Sequence, residues 1–280
     1  MKQISLFGHF LLIFFCVNSC IGTTSPSQKM DDNKSVLVLK DKKFDNSSAT
    51  SIMGSREKAQ KIEFENCTFS GSFSFTGLEI GYNAFQVSCS FKNCSFEGDL
   101  TGKTTQFLGS LNFNKCRFKK NVIFQNSAFL GPLAIKDCTF DGDGLFQNAI
   151  FFRESTFMGS HFYGIPFFQS ARFFEKASFI NVVFHSNTDF TIVRFSEGVN
   201  MDFVRAEGNL DFTDSRFEGI SSFKKAELVK GVNLSNIRAF STIRFSETTF
   251  LDSLKTTGAK FFSEKLEIVQ PKGTFAPAGD

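Results

Sequence analysis

The sequence has no tryptophan and only two tyrosines in 280 residues. Surfaces that stack on sugars or bases draw on Tyr and Trp, whose polar tips tolerate water, so an aromatic platform of that type is excluded as the main theme. Charge of either sign is not in excess: 31 basic side chains face 28 acidic ones, a formal charge of +3. Only Lys2 of the 31 lies in residues 1–19, so a chain starting at residue 20 carries 30 basic and 28 acidic groups. That near-balance argues against a nucleic-acid binder and equally against an acidic mimic of DNA. Histidine is scarce, and beyond residue 19 only His161 and His185 remain. No phosphate loop, nucleophile elbow or metal-ligand motif occurs.

Long apolar runs are also missing, with one short exception. Lys2 is followed by an apolar stretch from Phe10 to Val17. It is too short to span a bilayer and gives way to a Ser/Thr-rich segment, which reads as a cleaved export signal over residues 1–19. Val17-Asn18-Ser19-Cys20 resembles a bacterial lipobox, in which the Cys is acylated and the chain is cut just before it. The resemblance implies lipid attachment at Cys20, hence an exported, membrane-anchored lipoprotein of the bacterial cell envelope, periplasmic or surface-facing. Ordinary signal cleavage near the same point is the alternative. Cys16 is a poorer acceptor because bulky Phe15 precedes it. Residues 20–35 read as a flexible tether.

What the chain does have is phenylalanine, 41 of them. Stepping by eleven from Phe113 reaches Phe245, and stepping by eleven from Phe118 reaches Phe261. All 27 positions visited are apolar and 21 are Phe. The comb extends backwards through Phe107, Phe96, Phe91, Phe85, Ile80 and Phe69, with misses at Gly102 and Ser74, and fails forwards at Thr256. Two residues before each comb position lies a second uncharged register of small or aliphatic residues, such as Cys116, Ser127, Cys138 and Ala149. Two inward positions spaced by two mean a short extended segment. Segments recurring every five, then six, residues leave no room for helices, so the chain coils as a solenoid.

Cys94, Cys116 and Cys138 are 22 residues apart, and so are Cys67 and Cys89. That spacing predicts four faces per coil and roughly nine coils from Phe69 to Phe261, a rod near 40 Å long at about 4.8 Å per strand. Glycines two residues after comb positions (Gly71, Gly98, Gly131, Gly142, Gly159, Gly164, Gly219) suggest corners with unusual backbone angles. Units such as Phe91-Lys-Asn-Cys-Ser-Phe96 and Phe124-Gln-Asn-Ser-Ala-Phe129 resemble the Phe-rich branch of the pentapeptide-repeat family. The resemblance covers about residues 64–262 and implies an all-β fold, a right-handed quadrilateral parallel β-helix. Residues 36–63 are then an N-terminal cap region. Residues 263–280 supply a C-terminal cap strand and a tail disordered from Pro271. Val36–Leu39 and Leu266–Val269 are the candidate end strands.

Little chemistry is apparent. The five cysteines beyond Cys20 all occupy the small inward register, where a linear stack suits neither tetrahedral zinc nor a well-oriented disulfide; buried free thiols are expected. His161 and His185 fall at different lattice phases, which argues against a shared metal or catalytic pair. Asp189, Glu197, Asp202, Asp211 and Asp214 are scattered between comb positions. The expectation is therefore no catalytic residue, no metal and no cofactor. One surface feature stands out: Leu108, Leu130, Phe152 and Phe174 directly follow the comb, and Ile123, Leu145 and Phe167 directly precede it on the preceding face, each row at steps of 22. Together they predict an apolar stripe up one corner, either an interaction site or a seat for residues 40–63. The leading functional expectation is a non-catalytic, lipid-anchored envelope scaffold that binds a protein partner or forms a homodimer, with no nucleic acid. The alternatives are a polysaccharide-active β-helix enzyme and a DNA mimic that protects topoisomerase, a role known in the family.

Overall fold

The structure, a computed structural model, describes residues 36–45, 47–48, 51–52, 59–75, 84–262 and 266–272. Cys20, the export signal and the tether lie outside the described residues. The described chain is a parallel β-solenoid of about ten turns. Four sheets, named A to D in chain order, contain eleven, ten, ten and nine strands, and every strand pairs in parallel with its equivalent one turn away. Most strands are two residues long, the length that five- and six-residue steps permit.

One turn shows why the sequence folds this way. Phe113, Phe118, Phe124 and Phe129 lie on or beside strands of sheets A, B, C and D in succession. Each points inward, with 0 or 1% of its surface exposed. Within a column the strand spacing of about 4.8 Å lets most rings lie flat on one another: Phe91 on Phe113 at 4.8 Å and 9°, Phe151 on Phe173 at 4.4 Å and 4°. Between columns they meet edge-on, as Phe157 and Phe168 do at 5.3 Å and 86°. Parallel stacking along the axis and edge-to-face contact across it both suit the ring quadrupole. Each buried ring contributes roughly 1.5–3 kcal/mol relative to exposure.

Small inward residues close the corners. The Ser127 hydroxyl donates to the Gly102 carbonyl at 2.5 Å, and Ser215 to the Phe190 carbonyl at 2.7 Å. The buried thiols of Cys94 and Cys116 reach carbonyls in the same way. All five cysteines from Cys67 onward are free and buried. Burial pushes the Cys89 and Cys116 thiols well above their usual range, and the neighbouring Cys116 thiol and burial do the same to Cys94.

The two kinds of corner differ. At the five-residue corners the third turn residue has a positive φ, as in Asn126 (57°), Asp137 (53°) and Asn148 (57°). Asn and Asp tolerate this conformation because their short polar side chains bond locally, and Asn148 Nδ2 donates to Asn126 Oδ1 at 3.1 Å, one turn away. The glycines mostly mark the six-residue corners, and there the sequence expectation is corrected. Gly131 has no positive φ; a Cβ there would lie 2.4 Å from the Gly109 carbonyl oxygen of the turn below. Close backbone approach excludes a side chain, not dihedral freedom. Gly159 (φ 68°) is an exception at a five-residue corner.

The register is 22 residues from the strand at Ser88 to that at Lys260, as in Leu111 opposite Cys89 and Ile243 opposite Ser221, and lengthens to 23 at the final strand, where Leu266 lies opposite Ile243. Earlier turns are longer: Lys61 lies opposite Val36, and Ser88 opposite Lys61. Val36–Lys40, Lys43–Phe44 and Ser47–Ser48 form a first turn in sheets A, B and C, which raises the count above nine. The 27-residue step also breaks the cysteine match: Cys89 sits beside Ile62 in sheet A, whereas Cys67 precedes the strand that pairs with Ser95–Phe96 and so aligns with Cys94. Phe75, not Ser74, takes the comb position opposite Gly102, and its ring comes within 6.2 Å of Phe124 across the gap Gly102 leaves. Val36–Lys40 and Leu266–Val269 end sheet A. Beyond them, Lys272 bridges Thr249, so Pro271 is not the start of a free tail; residues 273–280 lie outside the described residues.

Candidate functional site

The seven apolar residues singled out in the sequence do not share one corner. Ile123, Leu145 and Phe167 are the outward residues of neighbouring strands in sheet C. Leu108, Leu130, Phe152 and Phe174 follow the strands of sheet D, each donating its N–H to the comb carbonyl of the preceding turn (Leu130 to Phe107 at 2.8 Å, Phe152 to Phe129 at 2.9 Å). A five-residue turn separates Phe124 from Phe129, so the two rows stand on successive faces, with Ala128 and Ile150 of sheet D between them. Leu108 and Phe174 are 41% and 40% exposed; Leu130 and Phe152 are part-buried. Phe152 and Phe174 stack at 5.1 Å and 1° outside the solenoid. Among the described parts of residues 40–63, Lys43–Phe44, Ser47–Ser48 and the strand from Lys61 belong to the first two turns and Ile52 packs against the core, rather than lying over these rows. The second row resumes near the C-terminal end, where Phe240 and Phe262 stack at 4.7 Å and 10°. Steps of 22 from Phe174 reach them through polar Ser196 and Glu218, which hid the continuation.

The two histidines meet, against the lattice-phase expectation. His161 is the outward residue of its strand in sheet B, and His185 directly follows the next strand of that sheet. His161 Nδ1 lies 3.4 Å from His185 Nε2, and His185 Nδ1 lies 2.8 Å from Glu207 Oε2. If the imidazole of His185 donates to Glu207, its Nε2 is the acceptor for His161. Tyr163 stacks on His185 at 4.1 Å and 6°. Hydrogen bonds from Arg205 and His185 hold the Glu207 carboxyl below its usual range. A step of 24, one turn plus the two-residue stride of a strand, is the signal that could have found the pair. Among the described residues no group of three or more His, Cys, Asp or Glu is placed to hold a metal ion.

Sequence reasoning also missed a basic column. Arg172, Arg194, Arg216, Arg238 and Lys260 are outward residues of five successive strands of sheet D, each directly opposite the next. Glu218 accepts from Arg194 and Arg216, and the Arg216 guanidinium lies over the Phe240 ring at 4.3 Å. A cleft of about 370 Å³ opens beside the last three cations.

Comparison with protein-family models, with curated proteins and with solved structures returned no match.

Proposed function

We propose that this chain is a non-catalytic envelope protein of the pentapeptide-repeat type, held to a membrane through a lipid on Cys20, whose solenoid serves as a rigid rod that docks a protein partner. The observation that carries the docking role is the open pair Phe152–Phe174, stacked at 5.1 Å on the outside of the solenoid, in a row that resumes with the outside pair Phe240–Phe262. Exposed contiguous apolar surface of this type marks interaction sites, and a solenoid repeats it at a fixed pitch. The Phe-rich units over residues 64–262 and the Val17–Cys20 motif support the family and anchoring parts of the reading. A second copy of the chain is the simplest partner, since a row repeated along the rod can meet itself about a twofold axis.

Changing Phe152 and Phe174 together to Ser tests the docking role. Light scattering and affinity capture from the native envelope should show loss of the homodimer or of the captured protein, with the melting temperature nearly unchanged. Unchanged association with a large drop in stability would make the pair part of the packed structure instead. Cys20→Ala should release the protein from the membrane fraction; continued membrane association would refute the lipid anchor. A second reading, a polysaccharide-active enzyme, draws its one specific support from the imidazole–carboxylate chain of His161, His185 and Glu207. Turnover of any member of a glycan panel, lost in His185→Gln, would replace the docking proposal with that one.

A further inference from the structure

We infer that the outer face of sheet D binds a linear acidic polysaccharide along the column Arg172, Arg194, Arg216, Arg238 and Lys260. Five cations occur at one outward position on consecutive turns, each the direct parallel neighbour of the next. Like charges placed directly opposite one another destabilise a sheet. The equivalent outward column of sheet B avoids this, running Arg117, Thr139, His161, Val183, Arg205, Glu227 and Thr249. Compensation within sheet D is thin. Glu218 serves both Arg194 and Arg216, while Arg238 and Lys260 have no ion-pair partner among the described residues. The column therefore carries a local cost that a bound polyanion would relieve.

The ligand class follows from spacing and neighbours. Strand spacing sets one cation per about 4.8 Å along a straight line, which matches an extended polymer with one anionic group per repeat. Guanidinium groups bind such carboxylates or sulfates through two parallel hydrogen bonds. Arg216 is held ready by Phe240 on one side and Glu218 on the other, so little ordering entropy is lost on binding. The cleft beside Arg216, Arg238 and Lys260 is completed by Asn236 and by the carboxylate of Asp214. A carboxylate there accepts hydrogen bonds from sugar hydroxyls. Phe240 and Phe262 flank the same turns and offer an apolar rest for the C–H face of a sugar ring. A nucleic acid is the less suited polyanion, because the chain beyond residue 19 is close to charge balance, 30 basic groups against 28 acidic, whereas nucleic-acid binders carry a marked basic excess.

Polygalacturonate, dextran and oligo-dT titrated separately into the full chain, by calorimetry and by melting, test the inference. Polygalacturonate should bind, raise the melting temperature and weaken steeply with salt, while neutral dextran should not bind. Arg238→Gln with Lys260→Gln removes two cations that hold no internal partner. This pair should bind polygalacturonate at least about tenfold more weakly while melting no lower than the parent protein at low salt, because repulsion is relieved. Arg238→Lys with Lys260→Arg should retain binding, as should the off-column variant Arg117→Gln with Arg205→Gln. Absence of binding to polygalacturonate, equal binding by the Gln pair, or equal loss in the off-column variant would overturn the site. Tighter binding to oligo-dT than to polygalacturonate would overturn the polysaccharide assignment.

Discussion

Replacing Phe168 by Ala removes one ring from the middle of the sheet C column. The ring is fully buried, lies flat between Phe146 at 4.8 Å and Phe190 at 5.0 Å, and meets Phe157 and Phe179 edge-on at 5.3 and 5.5 Å. The void cannot close easily. Ladder bonds such as Phe168 N–H to the Asp189 carbonyl at 2.7 Å and Phe146 N–H to the Phe167 carbonyl at 2.8 Å fix the spacing of the turns above and below. Phe→Ala in a core costs about 3–5 kcal/mol, more where the surroundings cannot collapse, so the upper part of that range is expected. Phe174→Ala is the internal control: 40% exposed, with Phe152 as its ring neighbour, it should cost about 1 kcal/mol or less. Urea unfolding followed by far-ultraviolet circular dichroism measures both. A cost below about 1 kcal/mol for Phe168→Ala, or equal costs for the two, would refute the reasoning that turn spacing holds the void open.

Ile192 is a β-branched residue at a five-residue corner with φ 59° and 53% exposure. Ile192→Asn should therefore stabilise the protein by about 1 kcal/mol in a thermal melt, since the left-handed conformation costs about that much for most L-residues. For Glu218, burial opposes ionisation, but hydrogen bonds and charge from Arg194 and Arg216 more than offset it and hold the carboxyl below its usual range. A depressed folded value means that its contribution is present above the unfolded value of about 4.3 and is lost as pH falls through the folded one. The stability gap between the parent protein and Glu218→Gln should close on acidification, and a gap that widens would contradict the pairing. Cys67, Cys89, Cys94, Cys116 and Cys138 are buried thiols; burial pushes the Cys67, Cys89 and Cys116 thiols up, and the neighbouring Cys116 thiol together with burial does the same to Cys94. All five should resist a thiol-specific disulfide reagent at pH 8 in the native protein and react once it is unfolded.

The solenoid was legible because a buried side chain repeats at a fixed stride only where successive turns are equal in length, which holds from Ser88 to Phe261. It was illegible before that, where turns of 25 and 27 residues shift every later position. Cys67 and Cys89 match at 22 yet face different sheets for this reason. Surface features were read less well because an outward neighbour need not share a lattice phase. His161 and His185 meet across a turn plus two residues. The apolar residues before and after the comb share a stride but not a face. The arginines did repeat at 22, but column membership alone does not reveal that Arg238 and Lys260 line a cleft, which depends on the corner residues Asp214, Asn236 and Gly258.

The central claim is that phenylalanine rings form enclosed columns along a four-sided tube. Ring-labelled phenylalanine resonances, measured with a soluble paramagnetic relaxation agent, test it most directly. Rings at comb positions such as Phe113, Phe151 and Phe168 should be shielded, while those of Phe174 and Phe262, 40% and 58% exposed, should be broadened. Uniform broadening across all the rings would contradict the account.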